Sequence, residues 1–209
     1  MTSLVTPGFA NKVLAATKAL SDVICTSSNA EQILDSVPAN QPILFAPDQN
    51  LGRWLIKKTG RQMDLWPGTC QVHVTFSERK IIELKAKHPD ASFIAHPECE
   101  PDILRHADFV GSTRKLLNYV STSTEQKIIV GTETGILHTM RKAAPQKTLL
   151  AVPFENSHGC EGCNQCPYMK LNTLEKIYLC MRDLAPRIEL AEELRLAAAR
   201  PLQRMLSLS

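Results

Sequence analysis

The sequence lacks the features of a membrane, secreted or nucleic-acid-binding protein. It has no apolar run of the ~18 residues that a transmembrane helix needs, and its start lacks the basic-then-apolar layout of a secretory signal. The net charge is only +3 with both signs interspersed, so no basic block is present to bind nucleic acid. The 7 cysteines are odd in number and clustered, which is typical of metal chemistry in a reducing compartment. We therefore expect a cytoplasmic protein.

Short apolar runs alternate with amphipathic segments along the 209 residues, and this alternation predicts parallel sheets covered by helices. The predicted strands are residues 22–25, 42–46, 62–66, 91–95, 108–110, 126–131 and 148–152. The predicted helices are residues 31–36, 51–58, 78–87, 114–120 and 135–143, and residues 171–209 are helical in pattern. The fold class is therefore predicted as α/β, with repeated three-layer α/β/α domains, short parallel sheets and a helical C-terminal segment.

Two helix starts and one core position are predicted from local pattern. Thr75 with Glu78 marks the start of the helix over 78–87, and Asn172 with Glu175 forms a capping box after the proline at 167. Cys180 lies inside the amphipathic helix that follows, and we expect it in the core.

The sequence contains an internal repeat with an offset of about 85 residues. Residues 42–48 (Pro-Ile-Leu-Phe-Ala-Pro-Asp) align with residues 127–133 (Lys-Ile-Ile-Val-Gly-Thr-Glu), and residues 21–23 align with 107–109. This offset is too long for a solenoid and predicts a duplicated small α/β domain. The predicted division is 1–72 for the first repeat, 73–160 for the second, and 161–209 for a cysteine loop and C-terminal helices.

Three cysteines, Cys160, Cys163 and Cys166, follow one another at a two-residue spacing, and Pro167 comes after the last. A structural zinc site normally needs four ligands, one more than this loop supplies. Two of the thiols could instead form a disulfide, or the loop could bind an iron–sulfur cluster, since such spacing followed by proline recurs in cluster loops. The spacing leaves the last two interpretations open.

Polar side chains follow several predicted strands, where open α/β sheets bind their ligands. His96 and Glu98 could act as an acid–base pair at a strand end, or the histidine could simply be satisfied by the following turn. Hydroxyls such as those of Ser27 and Thr113 suit a carboxylate or phosphate, or they could only cap helices. His73 is either a further pocket donor or a strand-edge histidine. Cys25 and Cys99 are expected to be small buried hydrophobes.

Taken together, these motifs resemble the quinolinate synthase family, whose members make quinolinate in de novo NAD biosynthesis. The motifs are Thr26-Ser27-Ser28-Asn29, Pro47-Asp48-x-x-Leu51-Gly52, Trp66-x-Gly68-x-Cys70-x-Val72-His73, His96-Pro97-Glu98-Cys99, Ala107-Asp108-x-Val110-Gly111-Ser112-Thr113 and the loop over 160–169. The resemblance implies three pseudo-symmetric α/β domains around a central 4Fe-4S cluster, with one cysteine from each domain. It also implies the condensation of iminosuccinate with dihydroxyacetone phosphate.

The resemblance also implies roles for individual residues. Cys70 and Cys166 would be two of the three cluster ligands, and the open iron position would act as a Lewis acid. Cys160 and Cys163 would be an extra pair that is redox-active. The implied catalytic residues are Glu98, the better candidate for proton transfer, and His96. The implied substrate-binding residues are Ser27, His73, His96, Glu98, Thr113 and Met169.

The sequence departs from the family pattern at its amino end. About one repeat of the family pattern is missing there, and with it one cluster cysteine. Where the family has a Tyr-x-Asn strand end, this sequence has Ala10-Asn11-Lys12. We therefore expect either an enzyme with a mis-assigned start or a separately supplied amino-terminal part, or an inactive paralogue that binds a dicarboxylate, a metal or a protein. The expected macromolecular partners are an amino-terminal fragment, aspartate oxidase or a second copy of the chain.

Overall fold

The computed structural model describes residues 2–5, 12–153 and 164–208. The strands are β1 (Thr2–Val5), β2 (Val23–Ile24), β3 (Ile43–Ala46), β4 (Asp64–Leu65), β5 (Ser92–Ala95), β6 (Phe109–Val110), β7 (Lys127–Gly131) and β8 (Thr148–Ala151). The helices are α1 (Lys12–Ala19), α2 (Ala30–Asp35), α3 (Gln49–Thr59), α4 (Glu78–Lys87), α5 (Pro101–Leu104), α6 (Thr113–Thr122), α7 (Ile136–Ala143), α8 (Leu174–Asp183) and α9 (Glu192–Leu208). Short 3₁₀ turns cover His73–Thr75 and Met169–Leu171. The predicted α/β fold class is confirmed.

The strands form two parallel sheets with the same topology. The first sheet has the order β2-β1-β3-β4 and the second has the order β6-β5-β7-β8. Their registers also correspond, since Leu4 lies opposite Val23 in the first sheet and Ile94 lies opposite Phe109 in the second. Two copies of one strand order are what a duplicated α/β unit would produce, so the repeat seen in the sequence is a repeat of structure.

The second sheet is buried on both faces, which explains its nearly continuous apolar strands. Phe93 and Ile129 point to one face, where they pack with Ile81 of α4. Ile94 and Val130 point to the opposite face, where α6 and α7 contribute their apolar side chains. This half of the molecule therefore has three layers, with the sheet between two layers of helices.

The C-terminal helix α9 returns to the first sheet. It packs against α1, α2 and β2, and its Met205 and Leu208 contact the core built around Phe45 and Leu55. The end of the chain therefore stabilises the unit with which the chain begins. Among the described residues, no helix has both the length and the apolar composition that crossing a membrane requires.

Three local predictions were wrong. The N-cap of α4 is Ser77 rather than Thr75, whose hydroxyl donates instead to the carbonyl of Val72. The N-cap of α8 is Thr173, which accepts a hydrogen bond from the Lys176 amide and replaces the predicted cap at Asn172. Cys180 is exposed, because no side chain of α8 belongs to the apolar clusters formed by the described residues.

Candidate functional site

A cavity of about 890 Å³ lies where the carboxyl ends of both sheets meet. Its lining comes from the segments that follow β2, β3, β4, β5, β7 and β8 and from the starts of α6 and α7. Because parallel strands direct their carboxyl ends to one edge, residues far apart in sequence become neighbours there. The cavity is therefore built by both repeats together.

Every predicted site residue within the described ranges lines this cavity. These residues are Ser27, Cys70, His73, His96, Glu98, Thr113, Cys166 and Met169. The predicted redox pair, Cys160 and Cys163, lies outside the described residues. Cys25 and Cys99 are fully buried and Cys180 is exposed, so Cys70 and Cys166 are the described cysteines whose thiols reach the cavity.

His73 and Glu98 form an ion pair at the floor of the cavity. Nδ1 of His73 lies 3.2 Å from Oε2 of Glu98, and Nε2 lies 3.2 Å from the Thr132 hydroxyl. Burial opposes a charge on this ring, but the neighbouring Cys70 and the Glu98 carboxylate raise the pKa of His73 to about 9. Burial also disfavours the charged form of Glu98 and would raise its pKa, yet contact with His73 and His96 lowers it. Both members of the pair are therefore charged at neutral pH.

His96 stacks on His73 but carries no charge. The two rings lie 4.9 Å apart with an interplanar angle of 13°. Burial lowers the pKa of His96 to about 4, and a second positive charge beside His73 would be repelled. The Glu98 amide lies 3.4 Å from Nδ1 of His96 and donates to it, which leaves the proton on Nε2, 3.3 Å from the Ser27 hydroxyl. The neutral tautomer thus directs its N–H toward Ser27.

The sequence left open whether His96 is only satisfied by its own turn and whether the hydroxyls near Ser27 and Thr113 only cap helices. The structure answers part of both questions. The turn after His96 satisfies one ring nitrogen, while the other nitrogen reaches Ser27 in the other repeat. Ser112 caps α6 by accepting from the Lys115 amide. Ser27 is not a cap, because α2 begins after Asn29. Its hydroxyl is directed toward His96.

The donor atoms around His73 are suited to a metal. One donor atom each from Cys70, His73 and Glu98 lies within 4.8 Å of the others. The His73 Nδ1 is buried, and its approach to Glu98 does not meet hydrogen-bond geometry, so this nitrogen has no hydrogen-bond partner among the described residues. Cys70 and Cys166 are half-buried and free of disulfides. Sulfur, nitrogen and carboxylate donors at one point are the types that bind zinc or iron, and binding through His73 would displace the proton that this ring holds in the metal-free chain.

Two carboxylates that the sequence did not single out also belong to the site. Asp48 is buried and accepts hydrogen bonds from the amides of Leu51 and Cys70. Burial raises the pKa of Asp48 to about 6, although the Leu51 amide opposes the rise. Glu133 accepts from the amide of Cys166. The signal was present in the repeat, because Asp48 and Glu133 occupy aligned positions after β3 and β7.

The fold and the cavity define a duplicated α/β chain with an acid–base pair and free thiols at a shared site. The sequence profile of the quinolinate synthetase A protein family matches residues 9–207, and the chain belongs to that family. It is 59% identical over 195 residues to the quinolinate synthase of Microcystis aeruginosa and 60% identical over 195 residues to that of Thermosynechococcus vestitus. It is 55% identical over 195 residues to the quinolinate synthase of Cyanophora paradoxa.

The matched region covers nearly all of this chain but a smaller share of each relative. It covers 93% of this chain but only 60% of the Microcystis and Thermosynechococcus proteins, and 58% of the Cyanophora protein. The chain thus spans about 60% of the length of the curated relatives that it matches. The complete reaction of those relatives is therefore a proposal for this chain.

Proposed function

We propose that this chain forms the larger part of a quinolinate synthase site, which condenses iminosuccinate with dihydroxyacetone phosphate to quinolinate for NAD biosynthesis. The observation that carries the proposal is the convergence of Cys70, Cys166, His73 and Glu98 on one cavity. A family relationship alone would not require these side chains to meet. Their convergence supports a chemical role for the cavity.

Cys70 and Cys166 would hold a 4Fe-4S cluster in this proposal. Their free, half-buried thiols, which line the same cavity, fit a metal group. Two cysteines are fewer than the four of a fully cysteine-ligated cluster, so the described residues supply part of the ligand set. When bound, such a cluster supplies a Lewis acid that polarises a carbonyl or hydroxyl oxygen.

The protein side chains would move protons beside that group. Glu98 is ionised because its pKa is lowered by His73 and His96 against the effect of burial, so it serves as the proton acceptor. Nδ1 of His73 lies 3.2 Å from the same carboxylate, so the charged ring stabilises the ionised form of Glu98 and favours release of the accepted proton. His96 stays neutral and holds the Ser27 hydroxyl in place through Nε2. Glu98 is therefore the side chain that gains and releases the proton, while His73 and His96 set its ionisation.

An anionic substrate group would bind at the start of α6. This helix has 10 residues and begins at Thr113, which lines the cavity. The free amides and the dipole at a helix start favour a carboxylate or phosphate. The hydroxyls of Thr113 and Ser27 border the same space and would add hydrogen bonds to the anion.

The test begins with purification and cluster reconstitution of the full chain without oxygen. We expect bound iron with absorption near about 400 nm that is typical of an iron–sulfur cluster. Cys70→Ser and Cys166→Ser should each abolish it, whereas Cys99→Ser, at a buried cysteine, should not. A wild-type chain that takes up no iron under these conditions would refute the cluster assignment.

Quinolinate formation is then measured by chromatography after iminosuccinate and dihydroxyacetone phosphate are mixed with the loaded chain. The assay is repeated with a separately expressed polypeptide that represents the part of the relatives outside the matched region. Activity in either mixture that disappears in Glu98→Gln supports the proposal. No quinolinate in either mixture would refute it.

A second candidate function is binding without turnover. It is favoured by the hydroxyl side chains of Ser27 and Thr113, which line the cavity and can bind a carboxylate without taking part in proton transfer. In that case a dicarboxylate such as malate should bind in calorimetry, and Ser27→Ala should weaken the binding, while both mixtures remain inactive. Turnover in either mixture would exclude this candidate.

A further inference from the structure

Each of the two cavity cysteines is preceded in the chain by a carboxylate that accepts a hydrogen bond from its backbone amide. We propose that Asp48 and Glu133 are positioning residues that fix the loops of Cys70 and Cys166, so that both thiols are held ready for the metal group. This inference rests on the proposed function, since it takes Cys70 and Cys166 as ligands.

Asp48 connects the start of α3 to the loop of Cys70. Its Oδ1 accepts from the Leu51 amide at 2.8 Å, and its Oδ2 accepts from the Cys70 amide at 2.7 Å. The Gln49 amide donates to the carbonyl of Gly68 at 2.8 Å, so the cysteine loop runs alongside Asp48 in the manner of a parallel bridge. With only 5% of Asp48 exposed, water does not compete for these bonds.

Glu133 makes the same connection in the second repeat. Its Oε2 accepts from the Gly135 amide at 2.6 Å, at the start of α7, and its Oε1 accepts from the Cys166 amide at 3.3 Å. The loop is also held by the Thr134 amide, which donates to the carbonyl of Asn164 at 3.2 Å.

The repetition argues for a role beyond helix capping. Asp48 caps α3 with one oxygen, and one oxygen of Glu133 accepts from the amide of Gly135, the N-cap of α7. Asn or Ser would serve as well for a single bond of this kind. The second oxygen is directed in both cases at the amide of a cysteine that lines the cavity. Asp48 and Glu133 occupy equivalent places in the repeat, so the same device is present in both copies although the loops between carboxylate and cysteine differ in length and sequence.

The loss of such partners has a characteristic size. Residues that orient metal ligands without touching the metal typically contribute about 10–100-fold to metal affinity. Asp48→Asn keeps an oxygen for the cap but turns an N–H group toward the Cys70 amide, where two donors oppose each other. Glu133→Gln has the corresponding effect at Cys166. We expect each variant to release iron about tenfold faster than the wild type.

Gly135→Ala should shift the carboxylate of Glu133 without changing its chemical group. A Cβ at this position would lie 2.6 Å from Oε2 of Glu133, and the flexible end of the glutamate would have to move away. The glycine has φ −58° and ψ −29°, so alanine tolerates this backbone. The variant should fold normally and release iron faster, although neither the cysteine nor the glutamate is changed.

The first measurement needs no metal. Amide hydrogen exchange followed by NMR on the metal-free full chain should show about tenfold faster exchange at Cys70 in Asp48→Asn and at Cys166 in Glu133→Gln, as expected for one lost hydrogen bond. Asp35→Asn and Glu175→Gln, at exposed carboxylates, are the matched controls. Unchanged exchange at both cysteines would overturn the inference.

The second measurement follows iron release to a chelator without oxygen, together with the unfolding midpoint of the metal-free variants. Faster release with an unchanged midpoint in Gly135→Ala supports positioning rather than general destabilisation. The inference would be overturned if Asp48→Asn, Glu133→Gln and Gly135→Ala all release iron at the wild-type rate. This holds even if hydrogen exchange at the cysteine amides is faster. Failure of the wild type to bind iron would instead overturn the proposed function, and the exchange data distinguish the two failures.

Discussion

The His73–Glu98 pair should make the stability of the metal-free chain depend on pH. The folded chain holds a proton on His73 with a pKa of about 9, because Cys70 and Glu98 outweigh the opposing effect of burial. An unfolded histidine has a pKa of about 6.5. Since the folded pKa is the higher one, the pair stabilises the fold fully below about 6.5 and loses this contribution as the pH rises through about 9.

The size of the effect follows from the two pKa values. Each unit of pKa difference corresponds to about 1.4 kcal/mol, so the gap between about 9 and about 6.5 amounts to about 3 kcal/mol. Almost all of it should be lost between pH 6.5 and pH 9.5. Glu98 remains ionised in the folded and unfolded chains throughout this interval, because its pKa is lowered by His73 and His96 although burial opposes this. Burial also raises the pKa values of the Cys25 and Cys99 thiols, whose effect on stability is common to the wild type and His73→Asn. The difference between these two proteins can therefore be attributed to His73.

The assay is urea unfolding of the reduced, metal-free chain at pH 6.5, 8.0 and 9.5, followed by the fluorescence of its 2 tryptophans. The free energy of unfolding of the wild type should approach that of His73→Asn as the pH rises. His138→Asn, at an exposed histidine of α7, should run parallel to the wild type and serves as the control. Parallel curves for the wild type and His73→Asn would refute the reasoning.

Three further substitutions test other parts of the structure. Ser27→Ala should lower kcat/KM for quinolinate formation about fivefold, because Nε2 of His96 loses one hydrogen bond worth about 1 kcal/mol; an unchanged rate would contradict the role of Ser27. Gly52→Ala should destabilise the chain by about 1–3 kcal/mol in thermal unfolding, since its Cβ would lie 2.4 Å from Cδ2 of Leu65. Thr173→Ala should cost about 1 kcal/mol and speed amide exchange in the first turn of α8, whereas Asn172→Ala should have little effect.

Hydrophobic patterning was enough to predict most of the sheet structure. The seven strand segments predicted from apolar runs each contain one of the strands β2 to β8. β1 was missed because Thr2–Val5 begins with Thr and Ser, so its apolar run is too short to stand out, and turn-forming residues follow it in the sequence. Its partners β2 and β3 follow much later in the chain. A central strand that depends on such distant partners gives little local signal.

The incorrect predictions concern features that neighbours in space decide. Asn172 and Thr173 are both good caps, and the choice between them depends on where the backbone turns into α8. Cys180 lies on a helix with an amphipathic pattern, but that pattern indicates only that an apolar face exists. In the structure Leu174 is 84% exposed and Met181 is 74% exposed, so the apolar face of α8 is not covered by the described residues.

The arrangement of the site follows from the duplicated strand order. Cys70 comes after β4 and Cys166 comes after β8, which is the last strand in the same order of the second sheet. Each loop therefore leaves its sheet at the same edge, and the two loops meet because the carboxyl ends of the sheets face one cavity. Asp48 and Glu133 follow β3 and β7, the neighbouring strands, and each lies one strand away from the loop that it contacts. A carboxylate on the neighbouring strand is the nearest fixed point from which a cysteine loop can be held, and the repeat places one there in each copy.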